Sequence, residues 1–159
     1  MKALLAFALL AAPLPALAES AERQHDDIAP INVAVGDAEM EAARTQAQRS
    51  LPGFLKLLAR PPAGIGGFVI KYPLPGPEHI WVSDLRLEGR TLVGILANYP
   101  ENPDFTIGQQ VRVPLSAVTD WGYRDASGVM QGHFTTRVLI GRLAPDDAAK
   151  AREALGWDR

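Results

Sequence analysis

The chain of 159 residues contains no cysteine. It can therefore form no disulfide, thiolate nucleophile or cysteine-based zinc site, and an apolar core must hold it together. Histidine occurs three times and aromatic side chains make up only 7% of the residues. Imidazole chemistry and ring surface are thus confined to a few positions. Basic residues are not in excess, with 16 Lys and Arg against 18 Asp and Glu and a net charge of −2. This balance excludes a broad nucleic-acid surface, which needs clustered cations to displace counterions. Also missing are a G-x-S-x-G elbow, an H-E-x-x-H helix, a Walker-type glycine loop and an acidic calcium loop.

The one long apolar run stands at the start, in "MKALLAFALLAAPLPALAES". Lys2, the apolar stretch from Ala3 to Ala12 and the small residues at Ala16 and Ala18 predict a signal peptide over residues 1–18, cleaved after Ala18. The run is too short for a span, since crossing the hydrocarbon takes about 20 apolar residues and Pro13 and Pro15 interrupt it. With no cysteine to carry a lipid, the mature chain is expected to be periplasmic or secreted, without stable membrane insertion. Losing Lys2 takes the net charge from −2 to −3. Residues 19–36 mix charged and small side chains without a period and read as a flexible lead-in. Residues 37–159 then form a single domain.

From Asp37, the residues Met40, Ala43, Ala47, Leu51, Phe54 and Leu58 recur at helical intervals, and Asp37 is the natural N-cap. Pro52 cannot donate within a helix, so a break near Ser50 and a helical pair are expected. Strand-like segments follow: "GFVIKYPL", "HIWVSDLRL", "TLVGILAN", "QQVRVPL" and "AVTDWGYR". Residues 79–87 and 91–98 form a hairpin around Gly89. Apolar residues on both faces, Ile80 and Val82 against Trp81 and Leu85, predict a curled sheet. "HFTTRVLIGRL" is ambiguous, because its β-branched residues favour strand while the Phe134 to Val138 spacing favours helix. "APDDAAKAREALG" reads as a closing helix with Asp146 and Asp147 in the first turn. The expected fold is α+β: an N-terminal helical pair packed on a strongly bent antiparallel sheet or small partly open barrel, with a C-terminal helix.

Two groups of residues are candidates for a site. His79 near Asp84, or His133 with Asp120, would suit a small hydrolase if the fold brought imidazole and carboxylate within reach. Along a strand, however, His79 shares a face with Trp81 while Asp84 points away. Trp121 and Tyr123 share a face opposite Gly122, offering a core wedge or a flat binding surface. His133, Thr135, Thr136 and Arg137 can converge on an anion or a peptide terminus, or simply cap a segment. A metal would need both histidines plus a carboxylate, which no spacing here predicts. Neither metal nor cofactor is expected.

Five blocks, "DAEMEAARTQAQRSLPGFLKLL", "EHIWVSDL", "GILANYP", "IGQQVRVPLSAVTDWGY" and "GHFTTRVL", resemble in order the YegJ-like family of bacterial domains of unknown function. That resemblance implies a small exported or lipid-anchored protein, or a domain of a larger chain, and brings no catalytic residues. A binding module for a peptide or protein partner is the leading expectation, with Trp81, Trp121, Tyr123, His133 and Arg137 as its surface. Its form can be an inhibitor or immunity protein. The alternatives are a hydrolase using His79 or His133 with Asp84 or Asp120, and a purely structural envelope protein. Oligomeric state is left open.

Overall fold

A computed structural model describes residues 36–158, so the expected signal peptide and nearly all of the lead-in lie outside the described residues. Helix α1 runs from Ala38 to Ala59 and is followed by six strands: β1 Gly66–Pro73, β2 His79–Glu88, β3 Thr91–Leu96, β4 Gln110–Pro114, β5 Asp120–Arg124 and β6 Met130–Gly132. Helices α2, Phe134–Ile140, and α3, Pro145–Ala154, complete the domain. The strands make one antiparallel sheet in the order β4-β3-β2-β1-β5-β6, which does not close into a barrel.

The expected helical pair is one continuous helix, a correction with a local cause. Pro52 removes a donor and sits exposed inside α1, which would normally kink or break it. The donor lost is the one to the Gln48 carbonyl, and side chains tie the neighbouring carbonyls of that turn. Ser50 Oγ donates to the Gln46 carbonyl at 2.6 Å, and the Trp121 indole N–H donates to that of Ala47 at 3.0 Å. The buried face, Met40, Ala43, Ala47, Leu51 and Phe54, stays in phase across the proline. Asp37 caps the helix as expected, accepting from the Met40 amide at 3.0 Å.

Register assigns the two faces of the sheet. Ile70 pairs with both Val82 and Trp121, and Val82 pairs with Leu96, so these four share one face. With Ile80, Leu92, Val111 and Val113 they form the main core against Ala47, Leu51 and Phe54 of α1. On the opposite face Lys71 pairs with Trp81 and Asp120, and Gly122 with Gly132. Irregular register in β1 and β2 bends the sheet, and Asp84 takes φ 52° at the β2 irregularity, as β-bulges do.

The rims of the sheet differ. In β4 the exposed Gln110, Arg112 and Pro114 alternate with the buried Val111 and Val113. At the other rim the end of the chain covers β6: the Met130 amide donates to the Leu155 carbonyl at 2.9 Å, and the Trp157 indole to that of Met130 at 2.7 Å. A second small core of Ile140, Ala148, Ala151 and Leu155 forms there.

Gly53, in α1, has open space where a Cβ would go, whereas a Cβ on Gly122 would collide with the His133 imidazole. Gly53→Ala should therefore raise stability by about 0.5–1 kcal/mol, the helix-propensity difference. Gly122→Ala should lower it by about 2–3 kcal/mol through overpacking. Urea unfolding of the two variants checks both signs.

Candidate functional site

The chemistry-bearing residues concentrate where β1, β2, β5 and the start of α2 meet. Asp120, at the first position of β5, is fully buried. Its Oδ1 accepts from the amides of Trp121 at 2.8 Å and Phe134 at 3.0 Å. Its Oδ2 accepts from the Thr135 amide at 2.8 Å and the Thr135 hydroxyl at 2.6 Å. Phe134 and Thr135 open α2, so Asp120 caps that helix from a strand 14 residues upstream, serving amides that a local side chain would ordinarily take. Burial pushes the Asp120 carboxyl up, while the Thr135 donors, the Trp121 amide and the charge of Lys71 pull it down.

His133 links β6 to α2 in a left-handed conformation at φ 53°. It follows Gly132, itself at φ 77°, where an added Cβ would strike the Trp121 carbonyl and ring. The turn buries the imidazole against the bare backbone of Gly122, with the Trp81 ring 4.6 Å away between centroids and tilted by 39°. Lys71 completes this face, its ammonium 5.1 Å from the centre of the Trp81 ring. Burial lowers the Lys71 pKa, the charge of Asp120 opposes that shift, and Arg44 reinforces it.

His79 stands at the start of β2 in a relay whose hydrogens can be assigned. Thr119 Oγ1 donates to the Lys71 carbonyl at 3.2 Å, which uses its only hydrogen. It must therefore accept from His79 Nδ1, 3.1 Å away, leaving Nε2 to face an Arg44 Nη2 donor at 3.5 Å. This arrangement requires neutral imidazole. Burial first, then the charges of Arg44 and Lys71, hold the His79 pKa down to about 4.

The fold separates several expected partners. Asp84 lies exposed on the β2 bulge, five residues beyond His79, or about 15 Å at strand rise. Trp121 and Tyr123 stack at 6.1 Å on the core face, where Trp121 also lies 5.2 Å from Phe54. Trp81 and His133 occupy the opposite face, so the five residues expected to bind do not form one surface. Arg137, on α2, is the exposed one. It lines an open groove between α1 and α2 whose floor and walls include Ala42, Ala43, Phe134 and Val138. Among the described residues, no group of three His, Cys, Asp or Glu side chains is placed to hold a metal ion.

Sequence reasoning missed Lys71 and Arg44. Lys71 is the single charge inside an apolar strand, a signal that a strict face assignment would have exposed. Arg44 carries no comparable signal, because it reaches His79 from 35 residues away.

The profile of a family described as uncharacterized proteins conserved in bacteria matches residues 37–159, the whole described fold. The chain belongs to the DUF2314 family. A putative ankyrin repeat protein of Neisseria meningitidis serogroup B is 29% identical over 82 residues, covering 51% of this chain. Those residues make up 32% of the relative, so the chain spans about a third of that protein's length. No solved structure matches the chain. The five blocks lie within the DUF2314 match, which supports a bacterial domain of unknown function.

In this DUF2314 domain Asp120→Ala should cost about 2–4 kcal/mol, because it strands buried donors. Asp84→Gly should change stability by less than about 0.5 kcal/mol, since it is exposed and in a conformation that glycine accepts. Denaturant midpoints test the contrast. For His79 the folded pKa, about 4, lies below the ordinary histidine value of 6.5. Its contribution is therefore present above pH 6.5 and is lost as pH falls toward 4. His79→Gln should flatten the decline in urea midpoint across that window.

Proposed function

We propose that this DUF2314 domain is a non-enzymatic binding module for a peptide or protein partner in the bacterial cell envelope, with the groove between α1 and α2 as its recognition surface. An inhibitor or immunity protein acting on an exported toxin is the specific form this reading takes. Within DUF2314, the five sequence blocks favour the YegJ-like group. The opening residues alone support export to the periplasm or outside the cell.

The observation that carries the reading is how the ionisable groups are used. Asp120 spends both oxygens on four donors that shape β5 and α2. His79 is held neutral between Thr119 and Arg44, and Asp84 stands apart on the bulge. General acid–base work needs an imidazole and a carboxylate within one hydrogen bond or one bridging water. The carboxylates first paired with the histidines are instead occupied or remote. Arg137 is left exposed beside a groove with apolar walls, the combination that anchors protein contacts. The Neisseria relative's name points toward a repeat architecture, a class that builds binding surfaces.

Ala42, exposed on α1 and lining the groove, offers a test. Ala42→Trp should leave the unfolding midpoint within about 0.5 kcal/mol. It should also weaken binding to a partner captured from periplasmic extract, identified and then purified, by about 10-fold or more. A partner that binds Ala42→Trp as well as it binds the natural chain would move recognition away from the groove. Failure to obtain any partner would remove the module reading.

A further inference from the structure

Arg137 differs from the other arginines near the groove in what holds it. Arg142 is consumed by carboxylates, with Nη1 2.5 Å from Asp37 and Nη2 2.9 Å from Glu39. Arg44 is paired with Glu41 at 2.5 Å. Arg137 forms no close ion pair among the described residues, the buried Asp120 carboxylate acting on it only through its charge, and yet it is fixed. Its guanidinium carbon lies 3.9 Å from the centre of the Trp157 ring, and its Nε donates to the Gly132 carbonyl at 3.1 Å.

Trp157 is immobilised in turn by its indole bond to the Met130 carbonyl at 2.7 Å. Stacking and the Nε bond orient the plane of the fork, while Nη1 and Nη2 meet no hydrogen-bond acceptor among the described residues. A guanidinium so placed has already lost most of its rotamer freedom, so a ligand that engages it pays less to order it.

Resting on the binding-module reading, we propose that Arg137 anchors an Asp or Glu side chain of a partner segment that crosses the α1–α2 groove with apolar residues on either side. The chemistry selects this occupant. The groove, about 580 Å³, is walled by Ala42, Ala43, Phe134 and Val138, which suits small and medium apolar side chains flanking a single charge. One uncommitted guanidinium matches one carboxylate in a bidentate pair. Glu39, with 76% of its side chain exposed at the groove, opposes a dianion such as a phosphate. On α2, Arg137 falls between Phe134 and Gly141, both of which line the groove. A segment therefore passes over it rather than ending there, which favours a side chain over a chain terminus.

Fluorescence polarisation of the full chain with labelled, end-blocked seven-residue peptide pools tests this. One pool carries a central Glu and the other a central Gln, each flanked by Ala, Val, Leu and Phe. The Glu pool should bind about 10-fold or more tightly than the Gln pool, and Arg137→Gln should erase the difference. Arg137→Lys, which keeps the charge but loses the fork, should recover only part of it. If Arg137→Gln fails to fold, Trp157→Phe replaces it and should shrink the preference by loosening the stack.

Equal binding of both pools that disappears in Ala42→Trp would overturn the carboxylate anchor while leaving the groove as a binding surface. No binding of either pool, together with no partner from extract, would overturn both. Stronger binding by the same sequences with a free C-terminus, or displacement by millimolar inorganic phosphate, would also overturn the proposal.

Discussion

One buried carboxylate governs the geometry of half the domain. Asp120 gathers donors from its own strand and from the first two residues of α2, so the direction in which that helix leaves the sheet is set at a single side chain. The His133 turn, the wall of the α1–α2 groove and the position of Arg137 all follow from that direction. A helix of 7 residues is too short to be stable through its own hydrogen bonds. It persists because a strand supplies its cap and α1 supplies its packing face. The same contacts occupy both Asp120 oxygens, and withdrawing them would release the start of α2.

The two faces of the sheet divide the work. One is a conventional apolar interface, in which Phe54, Trp121, Phe68 and Tyr123 pack as a chain of rings. The other holds Lys71, Trp81, Asp120 and His133, an aromatic floor with charges laid across it. Buried polar groups of this kind are costly unless satisfied. Here the Asp120 carboxylate is satisfied by three backbone amides and one hydroxyl, which ties the α2 turn to β5 and leaves few alternative packings.

Much of the architecture was legible in the residues. The helical spacing from Met40 to Phe54 marked the buried face of α1, apolar and β-branched runs between turns marked five strands, and the Asp-rich start marked α3. The helix over 134–140 was one of two open readings, and Phe134 decided it by packing edge-on to Trp121 at 5.3 Å. Two features were hidden. β6 has 3 residues, Met130–Gly132, too few to show a period, and the continuity of α1 past Pro52 goes with a buried face that packs on the sheet from Ala47 to Phe54. The site was less legible than the fold. Trp81 and Trp121 look alike in sequence, each on a strand beside polar neighbours, and only the register places them on opposite faces. Arg137 was nominated for its planar donors, but the Trp157 stack that fixes it joins residues 20 positions apart and leaves no local trace.

The unequal rims of the sheet bear on how this molecule behaves among its copies. β6 is sealed by the chain's own end, whereas β4 lies open, and an open border of a sheet invites a neighbouring molecule to zip on. The border here is brief, carries the guanidinium of Arg112 braced by Glu88 at 2.8 Å, and ends in a proline that has no hydrogen to give. Among the described residues, this border thus opposes growth of the sheet by one molecule pairing beside the next. The groove between α1 and α2 lies away from this border.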